Sequence, residues 1–253
     1  MDKKIILKTD KLCKTFSHGG IQSHILKNLD VEIYDGDFTV IMGSSGAGKS
    51  TLMYALSGMD KATLGEITFS GEEISSYNDD KLAKFRRKHC GFVFQQIYLL
   101  EQMSLFDNLM AGGLLISNDK KAITQKAEKL LESVNIPKDL QKKFPSQISG
   151  GEAQRVGIAR ALINSPEVVF ADEPTGALNS ANSEAVLNVL SEVNENGQSV
   201  VMVTHDLKSA RRGNRVIYLK DGVICGECEL GKYVSGDKER HQKLKNFLTE
   251  MGW

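Results

Sequence analysis

The chain has 253 residues, of which 41% are hydrophobic, enough for one large domain or two small ones. Its 32 basic and 32 acidic residues cancel, so the overall charge gives no support to a nucleic-acid-binding surface. No apolar run reaches the roughly 18 to 20 residues of a membrane span, and the charged segment MDKKIILKTDK does not match a signal peptide. We therefore expect a cytosolic protein with no nucleic-acid partner.

Two short strands, over residues 5–7 and 31–33, are predicted first, with a polar loop over residues 17–23 between them. Phe16 directly precedes that loop. In a nucleotide-binding domain an aromatic ring at this place could stack on adenine, and it could equally pack into the core. The residues alone leave both interpretations of Phe16 open.

Residues 43–51, GSSGAGKST, follow an apolar strand pattern and match G-x-x-x-x-G-K-[ST]. Glycines in such a loop let backbone N–H groups surround a polyphosphate, and the following helix N-terminus adds partial positive charge. The lysine would reach the β- and γ-phosphates, the serine would bind Mg²⁺, and the threonine would lie near the α-phosphate. A glycine-rich turn with a chance lysine is the alternative. Because a strand pattern precedes the motif and a helix pattern follows it, we predict a phosphate-binding loop formed by Gly43, Ser44, Ser45, Gly46, Ala47, Gly48, Lys49, Ser50 and Thr51.

A second apolar strand pattern, residues 91–96, ends in two amides. An amide oxygen that leaves the strand end toward the phosphate loop could bind Mg²⁺ and orient a water molecule. Gln95 is therefore a candidate metal ligand and catalytic residue, although glutamine at a strand end is common and this signal is weak by itself.

A helical region lies between the strands. Apolar spacing predicts helices over residues 99–116 and 120–134, within an inserted helical subdomain of about residues 97–164. Near the end of this region, a serine and two glycines stand where another helix would begin. A helix start of this kind can bind an anion, so the second candidate phosphate site is formed by Ser149, Gly150 and Gly151.

Residues 167–174, EVVFADEP, predict a buried strand followed by two acids. A strand interior has no use for adjacent carboxylates, so Asp172 and Glu173 belong at its carboxyl end. Because adjacent side chains point in opposite directions, one acid could hold Mg²⁺ through water while the other polarises the attacking water. Surface acids at a turn are the alternative. Another buried strand pattern, residues 199–206, ends in polar groups that include His205, a candidate sensor of the γ-phosphate.

The last part of the chain predicts a hairpin over residues 216–225 and an amphipathic helix over residues 237–251. The helix is expected to pack on its own domain, with a regulatory or partner contact as the alternative. The four cysteines are expected to be reduced thiols, because the chain is expected in the cytosol. Cys225 and Cys228 form a C-x-x-C, but no second pair or nearby histidine completes a zinc site.

The phosphate loop, strand-ending glutamine, SGG helix start, tandem acids and strand-ending histidine follow one another in a fixed order. In this respect the chain resembles the nucleotide-binding subunits of ABC transporters over residues 5–230. The resemblance implies an α/β fold: a P-loop NTPase (RecA-like) core with a mainly parallel sheet, an antiparallel β subdomain and an inserted helical subdomain. It implies a nucleotide-binding core with the β subdomain over residues 1–96 and 165–230, a helical signature subdomain over 97–164, and a helical tail over 231–253.

The resemblance also implies a role for each motif. Glu173 corresponds to the general base, and residues 43–51 correspond to the Walker A segment. Isoleucine stands at position 148 where leucine is usual, and Asn179 stands where the family generally has aspartate, which removes a charge. The remaining matches are Phe16 for the adenine-stacking aromatic, Gln95 for the Q-loop residue, Ser149, Gly150 and Gly151 for the signature motif, Asp172 for the end of Walker B, and His205 for the switch histidine.

The family works as a pair of facing subunits, each ATP lying between the Walker A segment of one and the signature motif of the other. The resemblance therefore implies ATP and Mg²⁺ as ligands, a second copy of the chain as a partner, and an integral membrane permease moved through the helical subdomain and Gln95. It implies a location at the cytoplasmic face of the membrane, held there by the permease.

Within the family, GFVFQQ and EPTGAL resemble the lipoprotein-release and macrolide-exporter branch. The segment FADEPTGALNS and the tail from residue 236 are most similar to ATPases of bacitracin- and lantibiotic-type antimicrobial-peptide transporters, whose permeases often work with a sensor kinase. Three functions are considered: an ATPase driving a permease, a mechanical coupler of the cell-division type, and a soluble ABC protein of DNA repair or translation or a P-loop kinase. The third class lacks support, because no coiled-coil insertion, zinc module or second nucleotide domain is evident and a kinase would lack the SGG helix start.

Overall fold

The computed structural model describes residues 3–253. Its strands are β1 (Ile5–His18), β2 (Ile21–Leu29), β3 (Glu32–Tyr34), β4 (Phe38–Met42), β5 (Leu64–Phe69), β6 (Glu72–Glu73), β7 (Cys90–Phe94), β8 (Val168–Asp172), β9 (Ser199–Val203), β10 (Arg215–Lys220) and β11 (Val223–Glu229). Its helices are α1 (Lys49–Leu56), α2 (Asp79–His89), α3 (Leu105–Gly113), α4 (Lys120–Ser133), α5 (Lys138–Gln141), α6 (Gly150–Leu162), α7 (Ser180–Glu195), α8 (Leu207–Ala210) and α9 (Lys238–Glu250), with a 3₁₀ turn at Pro145–Gln147.

The central sheet has the strand order β11-β10-β4-β9-β8-β7. Every pairing in it is parallel except that of β11 with β10. Strands β4 and β9 are buried along their whole length, which explains why they read as unbroken apolar runs rather than as alternating patterns. The predicted mainly parallel sheet is confirmed.

The register of this sheet aligns the carboxyl ends of four strands. Phe94 of β7 pairs with Asp172 of β8, Asp172 pairs with Val203 of β9, and Val203 pairs with Ile41 of β4. The residues that follow these four strands therefore emerge at one edge of the sheet, the edge where parallel α/β sheets bind ligands.

A second, antiparallel sheet has the order β2-β1-β5-β6, with β3 paired to β1. The prediction of a polar loop over residues 17–23 is wrong, because β1 and β2 form one long hairpin whose turn is confined to Gly19 and Gly20. Both glycines have positive φ, +58° and +82°, which allows the tight turn. Phe16 pairs with Ser23 in this hairpin and so lies on a strand.

The predicted helix over residues 99–116 is shorter in the structure, where α3 begins only after Ser104. The Ser104 hydroxyl caps α3 by accepting from the backbone N–H of Asp107 at 3.0 Å. Asn108 keeps the preceding segment non-helical, since its side-chain oxygen accepts from the backbone N–H of Leu100 at 2.8 Å and its amide donates to the Leu100 carbonyl at 3.2 Å. Local side-chain bonding has overridden the apolar pattern here.

Two buried clusters lie on opposite faces of the central sheet. Val40 belongs to the cluster that includes the helices α4, α6 and α7, whereas its neighbour Ile41 belongs to the cluster shared with α1 and the antiparallel sheet. Leu244 and Leu248 of α9 are fully buried in the first cluster, so α9 packs on its own domain as predicted. Within residues 3–253, no helix is both long and apolar enough to cross a membrane. The four cysteines are free thiols.

Candidate nucleotide-binding site

A cavity of about 810 Å³ opens at the edge where the four strand ends meet. The phosphate loop forms its floor between β4 and α1. Gly43 is required there, because a Cβ atom at this position would lie 2.1 Å from the carbonyl oxygen of Leu219. Gly48 has φ +100°, and a Cβ atom on it would press against Leu26 and Ile25 at 3.0–3.2 Å. The loop therefore approaches its neighbours closely enough to present backbone rather than side chains.

Lys49 is folded back over the loop. Its ammonium donates to the carbonyl oxygens of Gly43, at 3.0 Å, and Ser44, at 2.8 Å. Burial lowers the pKa of Lys49, while the carboxylates of Glu173 and Asp172 act in the opposite direction. These contacts hold a positive charge at the floor of the cavity, where it can meet a phosphate.

Ser50, Tyr54 and Asp172 form a hydrogen-bonded group beside the loop. The Ser50 hydroxyl donates to Asp172 Oδ1 at 3.0 Å, and the Tyr54 hydroxyl donates to Asp172 Oδ2 at 2.9 Å. Burial together with the bond to Asp172 raises the pKa of Tyr54 to about 12, so Tyr54 stays a donor at neutral pH. Tyr54 was not predicted from the sequence, although its position four residues after Ser50 on α1 puts both on one helix face.

The donor set next to the loop fits Mg²⁺. A hydroxyl oxygen and a carboxylate oxygen lie 3.0 Å apart at Ser50 and Asp172, and Gln95, whose side chain carries an amide oxygen, lines the same cavity. Oxygen atoms of these kinds are the ligands that Mg²⁺ prefers, together with water and phosphate oxygens. Within residues 3–253 no group of three or more His, Cys, Asp or Glu side chains forms a metal site.

Glu173 directly follows β8 in a left-handed conformation with φ +45°. Its backbone N–H donates to the Val203 carbonyl at 2.9 Å, and its carboxylate Oε1 lies 2.8 Å from His205 Nδ1. A non-glycine residue in this conformation costs about 1–3 kcal/mol, a strain that is typical of functional sites. Gln95 lies against the loop between β8 and α7, since a Cβ atom on Gly176 in that loop would be 2.9 Å from Gln95 Nε2. Glu173, His205 and Gln95 thus surround one side of the cavity.

Phe16 lies at the cavity and is 46% exposed, so core packing does not account for it. The Lys14 ammonium sits 4.8 Å from the ring centroid and is fixed by Asp60 at 2.6 Å and by the Lys61 carbonyl at 2.7 Å. A cation therefore lies against the Phe16 ring, and the exposed part of the ring can pack against an aromatic base.

The SGG helix start lies elsewhere. Ser149 caps α6 in a capping box with Glu152: the Glu152 carboxylate accepts from the Ser149 backbone N–H at 2.8 Å, and the Ser149 hydroxyl accepts from the Glu152 backbone N–H at 3.3 Å. The bonds that the Glu152 carboxylate accepts from the backbone N–H and the hydroxyl of Ser149 lower the pKa of Glu152. Gly151 is packed so closely on Asn182 that a Cβ atom would lie 2.6 Å from the Asn182 side chain. Ser149 and Gly150 are exposed.

The structure brings most of the predicted residues together within one chain, and the rest lie outside the cavity lining. Ala47 is buried under the loop, and Asp172 reaches the site through Ser50. Ile25 and Trp253 line the cavity although no motif pointed to them. The predicted residues that line the cavity are Phe16, Gly43, Ser44, Ser45, Gly46, Gly48, Lys49, Ser50, Thr51, Gln95, Glu173 and His205. Those that do not are Ala47, Ser149, Gly150, Gly151 and Asp172.

A phosphate loop between a buried parallel strand and a helix, with polar residues on the neighbouring strand ends, defines a P-loop nucleotide-binding protein. Residues 26–176 match the family model described as "ABC transporter". The chain therefore belongs to the ABC transporter family, as an ATP-binding cassette ATPase whose ligands are ATP and Mg²⁺.

Relatives among known sequences agree with this membership. The macrolide export ATP-binding/permease protein MacB of Pasteurella multocida is 40% identical over 222 residues, which cover 88% of this chain and 34% of that protein. An uncharacterized ABC transporter ATP-binding protein of Methanocaldococcus jannaschii is 40% identical over 219 residues, covering 87% of this chain and 97% of the relative. The chain thus spans about a third of the length of the macrolide-export relatives that it matches.

Solved structures show the same fold. The ATP-binding cassette MJ0796, described as a dimer in a post-hydrolysis state bound to ADP and Pi, superimposes with a TM-score of 0.82 at 37% identity and covers 90% of this chain and 100% of that one. The cassette cbiO1 of Clostridium perfringens, part of the transporter complex cbiONQ, gives a TM-score of 0.82 at 27% identity and covers 99% of this chain and 98% of that one. The predicted fold class is confirmed.

Proposed function

We propose that this chain is the ATP-binding and hydrolysing subunit that drives a separate membrane permease. The observation that carries the proposal is the convergence of Lys49, Ser50, Gln95, Glu173 and His205 on one cavity at the carboxyl edge of a parallel sheet. The relatives named ATP-binding/permease proteins support a permease partner, because this chain matches about a third of their length.

Each residue has a chemical task in this proposal. The loop N–H groups and Lys49 hold the phosphates, and Ser50, Gln95 and Asp172 would hold Mg²⁺. When bound, the metal would neutralise part of the negative charge of the phosphates. Glu173 accepts the proton of the attacking water, and His205 keeps the Glu173 carboxylate in place through the 2.8 Å contact. Gln95 orients the water, and Phe16 stacks on adenine.

A second copy of the chain completes the site in this proposal. Ser149, Gly150 and Gly151 do not line the cavity of their own chain, yet Ser149 and Gly150 are exposed at the start of a 13-residue helix. In the proposed dimer they would face the γ-phosphate held by the other copy, so two helix N-termini act on one triphosphate. The dimeric state described for the MJ0796 cassette supports this arrangement.

We further propose that the transporter handles an antimicrobial peptide and that this subunit lies at the cytoplasmic face of the membrane. The permease would also connect the subunit to a sensor kinase. The similarity of FADEPTGALNS to bacitracin- and lantibiotic-type ATPases supports this assignment. The macrolide-export relatives support transport of an antimicrobial compound in general.

The test is co-expression with the permease of a neighbouring reading frame, followed by purification from membranes and an ATPase assay in lipid vesicles. We expect the two chains to co-purify and the candidate peptide to change the hydrolysis rate. Lys49→Ala in the same complex is the matched control for background hydrolysis. Wild-type hydrolysis that does not exceed this background would contradict the ATPase assignment. Failure of every neighbouring permease to co-purify would contradict the permease assignment.

A further inference from the structure

The lining of the nucleotide cavity includes an aromatic side chain that belongs to none of the motifs, Trp253. It is the single tryptophan of the chain, and it is 51% exposed. An indole ring that borders a cavity and keeps half of its surface uncovered offers a flat apolar face to a ligand.

The backbone at Trp253 has a defined conformation. Helix α9 ends in a Schellman motif: the Trp253 N–H donates to the Leu248 carbonyl at 3.0 Å, and the Gly252 N–H donates to the Thr249 carbonyl at 3.1 Å. Gly252 has φ +79°, the left-handed conformation that this motif requires. Trp253 is thus held by defined hydrogen bonds rather than left as a loose extension.

The helix that carries Trp253 is firmly attached to the sheet. Leu244 and Leu248 are fully buried, and Arg240 is 4% exposed. The Arg240 guanidinium donates to backbone carbonyls that precede β10, those of Arg211 and Gly213, and to carbonyls that follow β11, those of Leu230, Gly231 and Lys232. The position of Trp253 at the cavity is therefore set by the packing of α9.

Neighbouring contacts connect Trp253 with the end of the cavity that contains Phe16. The Lys220 ammonium lies 3.5 Å from where a Cβ atom on Gly252 would be. The same hairpin turn reaches β2, since a Cβ atom on Gly222 would lie 2.2 Å from the Ile25 carbonyl oxygen. Ile25 lies two residues beyond Ser23, the cross-strand partner of Phe16, and it lines the cavity together with Phe16 and Trp253.

We propose that Trp253 contacts the base of the bound nucleotide and forms, with Phe16, the aromatic part of the site. The inference rests on the proposed nucleotide site and adds to it a residue outside every recognised motif. A purine base stacks on either ring without regard to hydrogen-bonding pattern, whereas the phosphates are held by the loop. Loss of Trp253 therefore weakens binding of nucleotides and leaves binding of a bare polyphosphate unchanged.

The single tryptophan provides a direct test. With excitation at the red edge of the tryptophan absorption band, where the tyrosines do not absorb, the fluorescence of the full wild-type chain reports only on Trp253. ADP is titrated into the chain at a concentration where it is a monomer. We expect a saturable change in intensity or wavelength, with the same midpoint as ADP binding measured by calorimetry. No change in fluorescence at ADP concentrations that saturate the calorimetric signal would overturn the inference and leave the proposed nucleotide site standing. Absence of ADP binding by calorimetry would overturn the nucleotide site and the inference with it.

Variants give an independent readout. Trp253→Ala is expected to weaken ADP binding by about tenfold, within the range of one base–aromatic stack, while Trp253→Phe keeps most of the affinity. Tripolyphosphate affinity should be equal in Trp253→Ala and wild type. Phe144→Ala is the control, because Phe144 is also a partly exposed aromatic residue but does not line the cavity. This variant should bind ADP as wild type does. An equal loss of tripolyphosphate and ADP affinity in Trp253→Ala, or no loss of ADP affinity, would overturn the inference.

Discussion

Side chains at the site are held in place by hydrogen bonds to one another and to the backbone. Lys49 donates to the carbonyls of its own loop, Ser50 and Tyr54 donate to Asp172, and His205 contacts Glu173. Asn179, which stands where the family generally has aspartate, still caps α7 by accepting from the Asn182 N–H at 3.0 Å. The amide therefore keeps the cap and lacks only the negative charge that would favour a helix N-terminus.

We expect Lys49→Ala to abolish tight binding of ATP, because the substitution removes an ammonium from the cavity floor and leaves the Gly43 and Ser44 carbonyls without their donor. Calorimetric titration with ATP measures the effect. Lys238→Ala, which removes an exposed lysine of α9, is the control and should bind ATP normally. An unchanged ATP affinity in Lys49→Ala would contradict the phosphate-loop assignment.

Glu173→Gln should leave ATP binding intact and slow hydrolysis by about 10²–10⁴, the usual contribution of a positioned general base. The amide keeps the shape of the side chain but does not accept the proton of water. Phosphate release under saturating ATP measures the rate, and Glu192→Gln on the exposed face of α7 serves as the control. Hydrolysis at the wild-type rate would remove Glu173 from this role.

Elements differ in how well the sequence predicts them. The strands β4, β7, β8 and β9 are predictable because buried parallel strands are apolar runs, against which the polar residues at their ends stand out. The β1–β2 hairpin was missed because its outer half is exposed and polar, so no apolar alternation marks it. The place of Trp253 could not be predicted, because it depends on how α9 packs across β11 and on contacts distant in sequence.

The attachment of α9 gives a prediction about stability. Arg240→Ala should destabilise the fold by about 3 kcal/mol, because it leaves several backbone carbonyls near a buried site without their donor. Chemical denaturation followed by circular dichroism measures the change. Lys238→Ala, on the exposed side of the same helix, should shift the free energy of unfolding by no more than about 0.5 kcal/mol. Equal stability of the two variants would show that Arg240 does not anchor α9.

At the scale of the whole molecule, the signature residues and the cavity do not meet within one chain. The structure therefore contains the phosphate loop and the acidic groups on one surface and an exposed helix start on another. This separation is what a shared site between two copies would require, and the resemblance to ABC transporter subunits had implied such a site.

We expect Ser149→Arg to preserve ATP binding by the isolated chain and to abolish hydrolysis, because a bulky cation at the helix start would block the approach of the second copy. Light scattering of Ser149→Arg combined with Glu173→Gln, in the presence of MgATP, tests for the dimer. Glu173→Gln alone is the matched comparison and should form it. Normal hydrolysis by Ser149→Arg would rule out a site shared in this way.

Successive side chains of β4 lie in two different buried clusters, and this arrangement has a thermodynamic consequence. Since Val40 supports one layer and Ile41 the other, a ligand bound at the end of β4 is linked to the unfolding of both layers at once. Nucleotide at about 100 times its dissociation constant should therefore add about 2.7 kcal/mol to the free energy of unfolding of the whole molecule. We expect a single melting transition at a higher temperature rather than a shift in only part of the transition. Differential scanning calorimetry with and without ADP would show this, and two separating heat-absorption peaks would mean that the layers melt independently.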